Sequence, residues 1–339
     1  YAAMSDFVVM RKGSEMAVAS PNVTSIAIGK PVDPEDLGGW KLLTGVSGLA
    51  DLAVDTDEQV LDAVKRYLSY MPAHAMEAPP ELPVPPGSGD ACRKILDIVP
   101  EERNKVYDVR KVIAAVADTD SSFELKERFG KSVATVLARL DGRSVGFIAN
   151  NPLFKGGALD ADACKKATSF MVLCDSFNIP IVFLVDVPGF LIGVESEAAG
   201  MLRIGMQGRD LGMQLTVPVY TVVVRKCYGM AGGSTVDRAG LNFKIAWPSA
   251  EWGSLPIEGG VKAAYRREIE AAPDPARREQ EIEAELRRLA SPFRTAEAFA
   301  VEDLIDPRET RPYLCRFLEA AWPGMRTRLG PKARPGVRP

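Results

Sequence analysis

Histidine is almost absent from the 339 residues, since His74 is the only one in the chain. It lies in a Met-Pro-Ala-His-Ala segment with no serine and carboxylate arrangement around it. The composition therefore disfavours a hydrolase that depends on an imidazole base, and also a metal site built from several histidines. Any chemistry in this chain has to be carried by other groups.

Cysteine pairs and long apolar runs are missing as well. The five cysteines are odd in number and show no short paired spacing, which predicts neither a disulfide framework nor a zinc site. Cys164 and Cys174 lie among helix-forming residues, where we expect small core side chains. No apolar run reaches the roughly 18 residues of a membrane span, and no signal-peptide pattern occurs. We expect a cytoplasmic protein without membrane contact.

The charge balance is also unremarkable, with a net charge of -3 that gives no reason to expect a nucleic-acid surface. A hydrophobic content of 46% and a charged content of 26% are typical of a globular protein with a sizeable core. Basic residues gather among proline and glycine at 323–339, where the sequence predicts a flexible tail.

The chain divides into two unequal parts around a proline-rich stretch. Residues 1–77 contain a strand pattern at 6–10 and an amphipathic helix pattern at 57–70, but no earlier strand that the first could pair with. We expect this part to be the end of a domain. Residues 78–105 begin with a proline-rich run that predicts an extended, stiff linker. Residues 106–322 form the second predicted domain.

Strand and helix patterns alternate in this second domain. Two strand patterns flank Asp141-Gly142, a turn signal that predicts a hairpin. Continuous apolar runs at 181–187 and 219–224 are typical of strands buried on both faces. Helix patterns at 161–176 and 197–215 separate these strands, so the sequence predicts an α/β fold with parallel strands and crossover helices.

Three glycine-containing loops follow the predicted strands, at 150–160, 186–190 and 225–233. The carboxyl ends of parallel strands are where ligands bind in open α/β sheets. Glycine lets backbone N–H groups approach a ligand closely, as in an oxyanion hole. The alternative is that these glycines only make tight turns. No P-loop and no G-x-G-x-x-G spacing occurs, so the loops by themselves do not name a reaction.

Four segments resemble the acyl-CoA carboxyltransferase family, the β-subunit type of propionyl-CoA and methylcrotonyl-CoA carboxylases. They are SVGFIANNPLFKGGALDADACKKATSF, CDSFNIPIVFLVDVPGFLIG, TVPVYTVVVRKCYGMAGG and IAWPSAEWGSLPIEGG. Members of this family consist of two crotonase-like halves. The resemblance implies that 1–77 is the end of the first half and 106–322 the second, biotin-facing half.

In this family a pair of backbone N–H groups stabilises the negative ureido oxygen of biotin once carboxybiotin has released carbon dioxide. The matching positions are Met230 and Ala231, just after Gly229; many members have glycine where this chain has Met230. The resemblance also implies that the acyl-CoA enolate attacks carbon dioxide, with no metal and no side-chain acid. The implied biotin- or substrate-binding residues are Gly156, Gly157, Ala158, Pro188, Gly189, Phe190, Tyr228 and Gly232.

The implied cofactor is biotin on a partner, because the Ala-Met-Lys-Met biotinylation sequence is absent. The implied partners are a biotin carboxylase, a biotin carboxyl carrier and an acyl-CoA, within a homo-oligomer between a dimer and a hexamer. Two alternatives stay open: a biotin-dependent acyl-CoA decarboxylase, and a non-catalytic assembly subunit. Lys155 is a further candidate, as a contact for a CoA phosphate, although a solvated lysine is the simpler interpretation.

Overall fold

The computed structural model describes residues 2–236, 241–254 and 256–333. Its strands are β1 (Val9–Arg11), β2 (Leu52–Val54), β3 (Phe123–Leu125), β4 (Val133–Leu140), β5 (Arg143–Asn150), β6 (Ile181–Val187), β7 (Val219–Tyr228), β8 (Asn242–Ala246), β9 (Glu251–Gly253) and β10 (Asp303–Leu304). Its α-helices are α1 (Pro21–Ile28), α2 (Pro34–Gly38), α3 (Trp40–Gly45), α4 (Asp57–Leu68), α5 (Val109–Val116), α6 (Ala161–Ser176), α7 (Val194–Ala198), α8 (Met201–Met213), α9 (Gly229–Val236), α10 (Ile257–Ala264), α11 (Arg266–Ala271), α12 (Pro275–Leu289), α13 (Pro292–Glu297) and α14 (Thr310–Arg326).

One mixed sheet forms the centre of the molecule, in the order β10-β8-β7-β6-β5-β4-β3, with β9 pairing the end of β7. Strands β5, β6, β7 and β8 are parallel, whereas β3, β4 and β5 are antiparallel. The parallel α/β core predicted from the alternating patterns is therefore confirmed. A separate pair, β1 and β2, is parallel and lies in the N-terminal part.

The predicted hairpin is confirmed, because β4 and β5 pair along their full lengths around Asp141 and Gly142. Both turn residues have positive φ, 54° and 78°, as a two-residue type I′ turn requires. The buried carboxylate of Asp118 accepts hydrogen bonds from both turn N–H groups, at 3.0 and 2.8 Å. It also accepts one from Arg311 in α14 at 2.6 Å, which fixes the C-terminal helix against the hairpin.

Each face of the sheet is covered by a hydrophobic core. Strand β6 is buried throughout, and its side chains alternate between the two cores. Ile181 and Phe183 face the side that carries α6 and α8, while Val182 and Leu184 face the side of α5 and α14. The buried Cys164 and Cys174 belong to the first of these cores, as expected from their helical setting.

Several boundaries differ from the sequence predictions, among them that β1 is Val9–Arg11 and α4 ends at Leu68. The predicted helix at 197–215 is interrupted, because Gly200 adopts a left-handed conformation with φ of 79° between α7 and α8. Within the predicted linker, Asp90–Asp97 form a 3-10 helix that buries Cys92 and Ile95 in the second core. Helix α14 continues past the predicted start of the tail at 323, as far as Arg326. Tail residues 334–339 lie outside the described residues.

Lys166 is a buried cation in α6. Its side chain is 1% exposed, and its Nζ donates to the carbonyl oxygen of Val133 at 2.7 Å. Burial disfavours the ammonium form and lowers the pKa of Lys166 from 10.5 to about 8. Between pH 8 and 10.5 the unfolded chain therefore holds a proton that the folded chain does not. The free energy of unfolding should rise with pH across this window.

We predict that Lys166→Met removes this pH dependence. The measurement is the free energy of unfolding of the variant minus that of the wild type, obtained by chemical denaturation. This difference should be more favourable to the variant at pH 7 than at pH 10, by roughly 2–3 kcal/mol. The control is Lys165→Met, since the side chain of Lys165 is 54% exposed and pairs with Asp162 at the surface. Equal pH profiles for the Lys166 variant and the wild type would contradict the prediction.

Candidate functional site

The first two predicted loops lie side by side at the carboxyl ends of β5 and β6. Backbone hydrogen bonds join them: the Leu159 N–H donates to the Gly189 carbonyl at 3.1 Å, and the Leu191 N–H donates to the Leu159 carbonyl at 2.8 Å. Asn150 adds a second link, because its side chain accepts from the Asp186 N–H and donates to the Gly157 carbonyl. The two loops therefore form one surface.

A glycine is required where the first loop crosses β6. At Gly157 a Cβ atom would lie 2.5 Å from the carbonyl oxygen of Asp186, and φ is 85°. Its neighbour Gly156 also has positive φ but has open space around it. Ala158 is buried, and Lys155 forms an ion pair with Asp160, the residue that caps α6. The structure therefore shows a carboxylate partner for Lys155 within its own loop.

The third predicted loop is shorter than the sequence suggested. Strand β7 continues to Tyr228, four residues beyond the predicted end, and α9 begins at once with Gly229. A φ of 59° at Gly229 makes this abrupt turn possible. The extension arises because the end of β7 leaves β8 and pairs with β9, with Lys226 opposite Glu251 and Tyr228 opposite Gly253.

The predicted oxyanion residues lie in the first turn of α9. N–H groups in this part of a helix point towards its N-terminal end, which carries a partial positive charge. The Met230 side chain is 55% exposed, whereas Ala231 is fully buried. Gly232 packs against Cys227, where a Cβ atom would meet the sulfur at 2.9 Å. A cleft of about 560 Å³ adjoins this turn, lined in part by Gly229, Gly233 and Trp252.

An ion pair buried beneath the turn was not predicted. The side chains of Asp186 and Arg225 are 1% and 3% exposed, and Arg225 Nε lies 2.9 Å from the Asp186 carboxylate. Asp186 also accepts hydrogen bonds from the Tyr107 hydroxyl at 3.1 Å and the Lys226 N–H at 3.2 Å. Burial and the Asp186 carboxylate hold the pKa of Tyr107 well above its usual value. Arg225 reaches further, to the Lys105 carbonyl at 3.0 Å.

A second polar cluster holds the side chain of Tyr228, which is 1% exposed. Its hydroxyl donates to Glu251 at 2.8 Å and accepts from Arg103 at 3.3 Å, and Arg103 and Glu251 form an ion pair. Tyr228 is thus directed beneath the turn, and its predicted contact with a ligand stays a prediction. The sequence offered one signal for these polar clusters. Asp186 and Arg225 are charged residues inside or just after an apolar strand run.

The described residues contain no group of three or more His, Cys, Asp or Glu side chains that could hold a metal ion. Across those same residues, no helix has the length and apolar character needed to cross a membrane. The groups brought together at the site are main-chain N–H groups, apolar side chains and the polar clusters beneath them.

Parallel strands and crossover helices make this an α/β protein, and its likeness to solved carboxyltransferase structures assigns it to the crotonase-like fold. The chain belongs to the carboxyl transferase domain family, which matches residues 1–335.

Two similar relatives are a propionyl-CoA carboxylase carboxyltransferase subunit of Haloferax mediterranei and the methylmalonyl-CoA carboxyltransferase 12S subunit of Propionibacterium freudenreichii. The first is 39% identical over 312 residues, 91% of this chain and 60% of that protein. The second is 38% identical over 323 residues, 94% of this chain and 61% of that protein. The chain thus spans about 60% of the length of these curated relatives.

Among solved structures, the hexameric transcarboxylase 12S with methylmalonyl-coenzyme A and methylmalonic acid bound is similar, with a TM-score of 0.87 and 34% identity. That likeness covers 99% of this chain and 64% of the other.

We predict that Asp186→Asn destabilises the fold by about 3–5 kcal/mol, because it leaves the Arg225 charge buried without its counter-ion. The measurement is the free energy of unfolding by chemical denaturation. Asp162→Asn serves as the control, since Asp162 and Lys165 form a surface pair at 3.4 Å and half of each side chain is exposed. That control should change stability by about 0–1 kcal/mol. Similar effects of the two variants would contradict the prediction.

Proposed function

We propose that this chain is the biotin-facing part of an acyl-CoA carboxyltransferase, which moves a carboxyl group from carboxybiotin to the α-carbon, or a vinylogous carbon, of an acyl-CoA. The observation that carries the proposal is the match to a transcarboxylase core along 99% of the chain, together with the helix turn at Gly229 at the carboxyl end of β7. The relatives' names add support, since they are carboxyltransferase subunits.

The cleft beside α9 fits biotin in size and in chemistry. Small-ligand sites commonly have volumes of about 300–1,000 Å³ and combine apolar walls with a few directed polar groups. The cleft of about 560 Å³ has Trp252 and Leu289 as apolar walls and the first turn of α9 at one side. Biotin would supply the carboxyl group and then a negatively charged ureido oxygen.

In this proposal the chain acts through its backbone. The Met230 and Ala231 N–H groups donate to the negatively charged oxygen, and the positive end of α9 adds a favourable potential. Pro188, Phe190 and Leu191 present apolar surface that excludes water from reactive carbon centres. The exposed Met230 side chain narrows the entrance without removing the donor, because the donor is its main-chain N–H. The Asp186 and Glu251 clusters keep the turn in place.

The partners follow the same proposal. A biotin carboxylase and a biotin carboxyl carrier would deliver carboxybiotin, since the similar proteins are named as carboxyltransferase subunits. A homo-oligomer between a dimer and a hexamer is supported by the hexameric assembly of the similar transcarboxylase. We also propose that the protein is located in the cytoplasm.

The activity is tested by supplying the native assembly with a carboxylated biotin carrier and a panel of short and branched acyl-CoAs, and by measuring the carboxyacyl-CoA formed. Transfer to at least one acyl-CoA is the expected result. If no acyl-CoA in the panel accepts a carboxyl group, the proposed function is wrong.

We predict that Met230→Pro lowers the rate of transfer by about 10²–10³-fold, because proline removes one oxyanion donor. Proline is tolerated in the first turn of a helix, so the fold should persist. The control is Met230→Ala, which keeps the N–H group and should retain most of the activity. Equal rates for the two variants, with unchanged melting temperatures, would show that the Met230 N–H has no role in transfer.

A further inference from the structure

Helix α8 presents a face of small residues to its neighbours. A Cβ atom at Gly205 would lie 2.9 Å from the Phe190 ring, and one at Gly208 would lie 3.0 Å from the Thr168 hydroxyl in α6. Arg209 comes one residue after Gly208 and four after Gly205, so it lies on the same side of the helix. A long cationic side chain is unusual beside glycines that pack this closely against their neighbours.

Arg209 is partly buried, yet it has no hydrogen bond or ion pair with any residue in the described part of the chain. Two other arginines near the site differ, since Arg225 pairs with Asp186 and Arg103 pairs with Glu251. No guanidinium nitrogen of Arg209 is a fully buried atom without a partner, so the group reaches solvent at the edge of the site. An external anion can therefore bind to it.

The surroundings of Arg209 place it within the candidate site. Its Nη1 lies 4.0 Å from where a Cβ atom of Gly233 in α9 would be. The same side chain lines a cavity of about 50 Å³ together with Asn150, Leu159 and Phe190, residues of the two joined loops and of the strand end beneath them. A cavity needs roughly 10–15 Å³ to hold one water, so this one has room for a group of a few atoms but not for a biotin ring.

We propose that Arg209 binds the carboxylate group in transit, as it is carried by carboxyacyl-CoA or by carboxybiotin. This inference rests on the proposed function. The planar guanidinium matches a carboxylate with two parallel hydrogen bonds, and apolar walls strengthen such a pair. The uncarboxylated acyl-CoA lacks this group. Arg209 therefore distinguishes the carboxylated from the uncarboxylated form of the substrate.

The first experiment measures binding to the native assembly by calorimetry, with malonyl-CoA or methylmalonyl-CoA compared with acetyl-CoA or propionyl-CoA. Arg209→Met should weaken binding of the carboxylated thioesters by about tenfold or more, because it removes a charge-assisted pair. Binding of the uncarboxylated thioesters should change by less than about threefold. Arg209→Lys keeps the charge without the fork, and its loss should be intermediate.

The second experiment identifies the source of the carboxylate. In the transfer assay, an Arg209→Met defect confined to the KM for the carboxylated carrier assigns the contact to carboxybiotin. A defect in the binding of carboxyacyl-CoA assigns it to the thioester. The matched control is Arg203→Met, since Arg203 lies on the exposed side of the same helix and should affect neither quantity.

Two results would overturn the inference: Arg209→Met equal to wild type in both experiments, or equal losses for carboxylated and uncarboxylated thioesters. Melting temperatures show whether each variant is folded, and Arg209→Lys provides the charge-preserving comparison if Arg209→Met is not. Because calorimetry needs no turnover, it separates this inference from the proposed function. The wild-type assembly could transfer no carboxyl group and still bind carboxylated thioesters selectively. If Arg209→Met then abolished that selectivity, the proposed function would be wrong and the inference about Arg209 would stand.

Discussion

The buried pair of Asp186 and Arg225 is the interaction on which the arrangement of the site depends. Asp186 ends the apolar run of β6, and Arg225 lies two-thirds of the way along β7, so the pair bridges the neighbouring strands in their carboxyl-terminal parts. Further bonds of the pair reach Tyr107 and the Lys105 carbonyl, in a segment without regular structure. Removing one partner would leave an uncompensated buried charge, so the pair stabilises the arrangement of the strand ends.

Such stabilisation suits the proposed site, in which the donors belong to the backbone. In the proposed mechanism Met230 can serve as a donor although its side chain is large, because the donor is its main-chain N–H. What the backbone cannot tolerate is displacement, which explains the close packing at Gly157 and Gly232. In this proposal the side chains of the donor residues can vary. The glycines and buried charges that position the donors cannot.

The sequence predicted those parts of the fold in which local pattern and tertiary burial agree. Strand β6 and helix α6 begin and end as predicted, because the first is a continuous apolar run and Asp160 caps the second. The break at Gly200 was missed, since one positive φ leaves no trace in an amphipathic pattern. Arg103 and Glu251 were missed because they meet Tyr228 from segments far apart in the chain, and no periodicity records such a contact.

The charges around the turn also favour an anion. Arg103 and Glu251 neutralise each other, whereas Asp186 faces both Arg225 and Lys226, whose Nζ lies 3.5 Å away. This group therefore carries one positive charge in excess, close to the positive end of α9. In a partly water-excluded setting such a charge acts strongly at short range. The buried Asp186 carboxylate therefore leaves a positive potential at the turn, which suits the proposed oxyanion site.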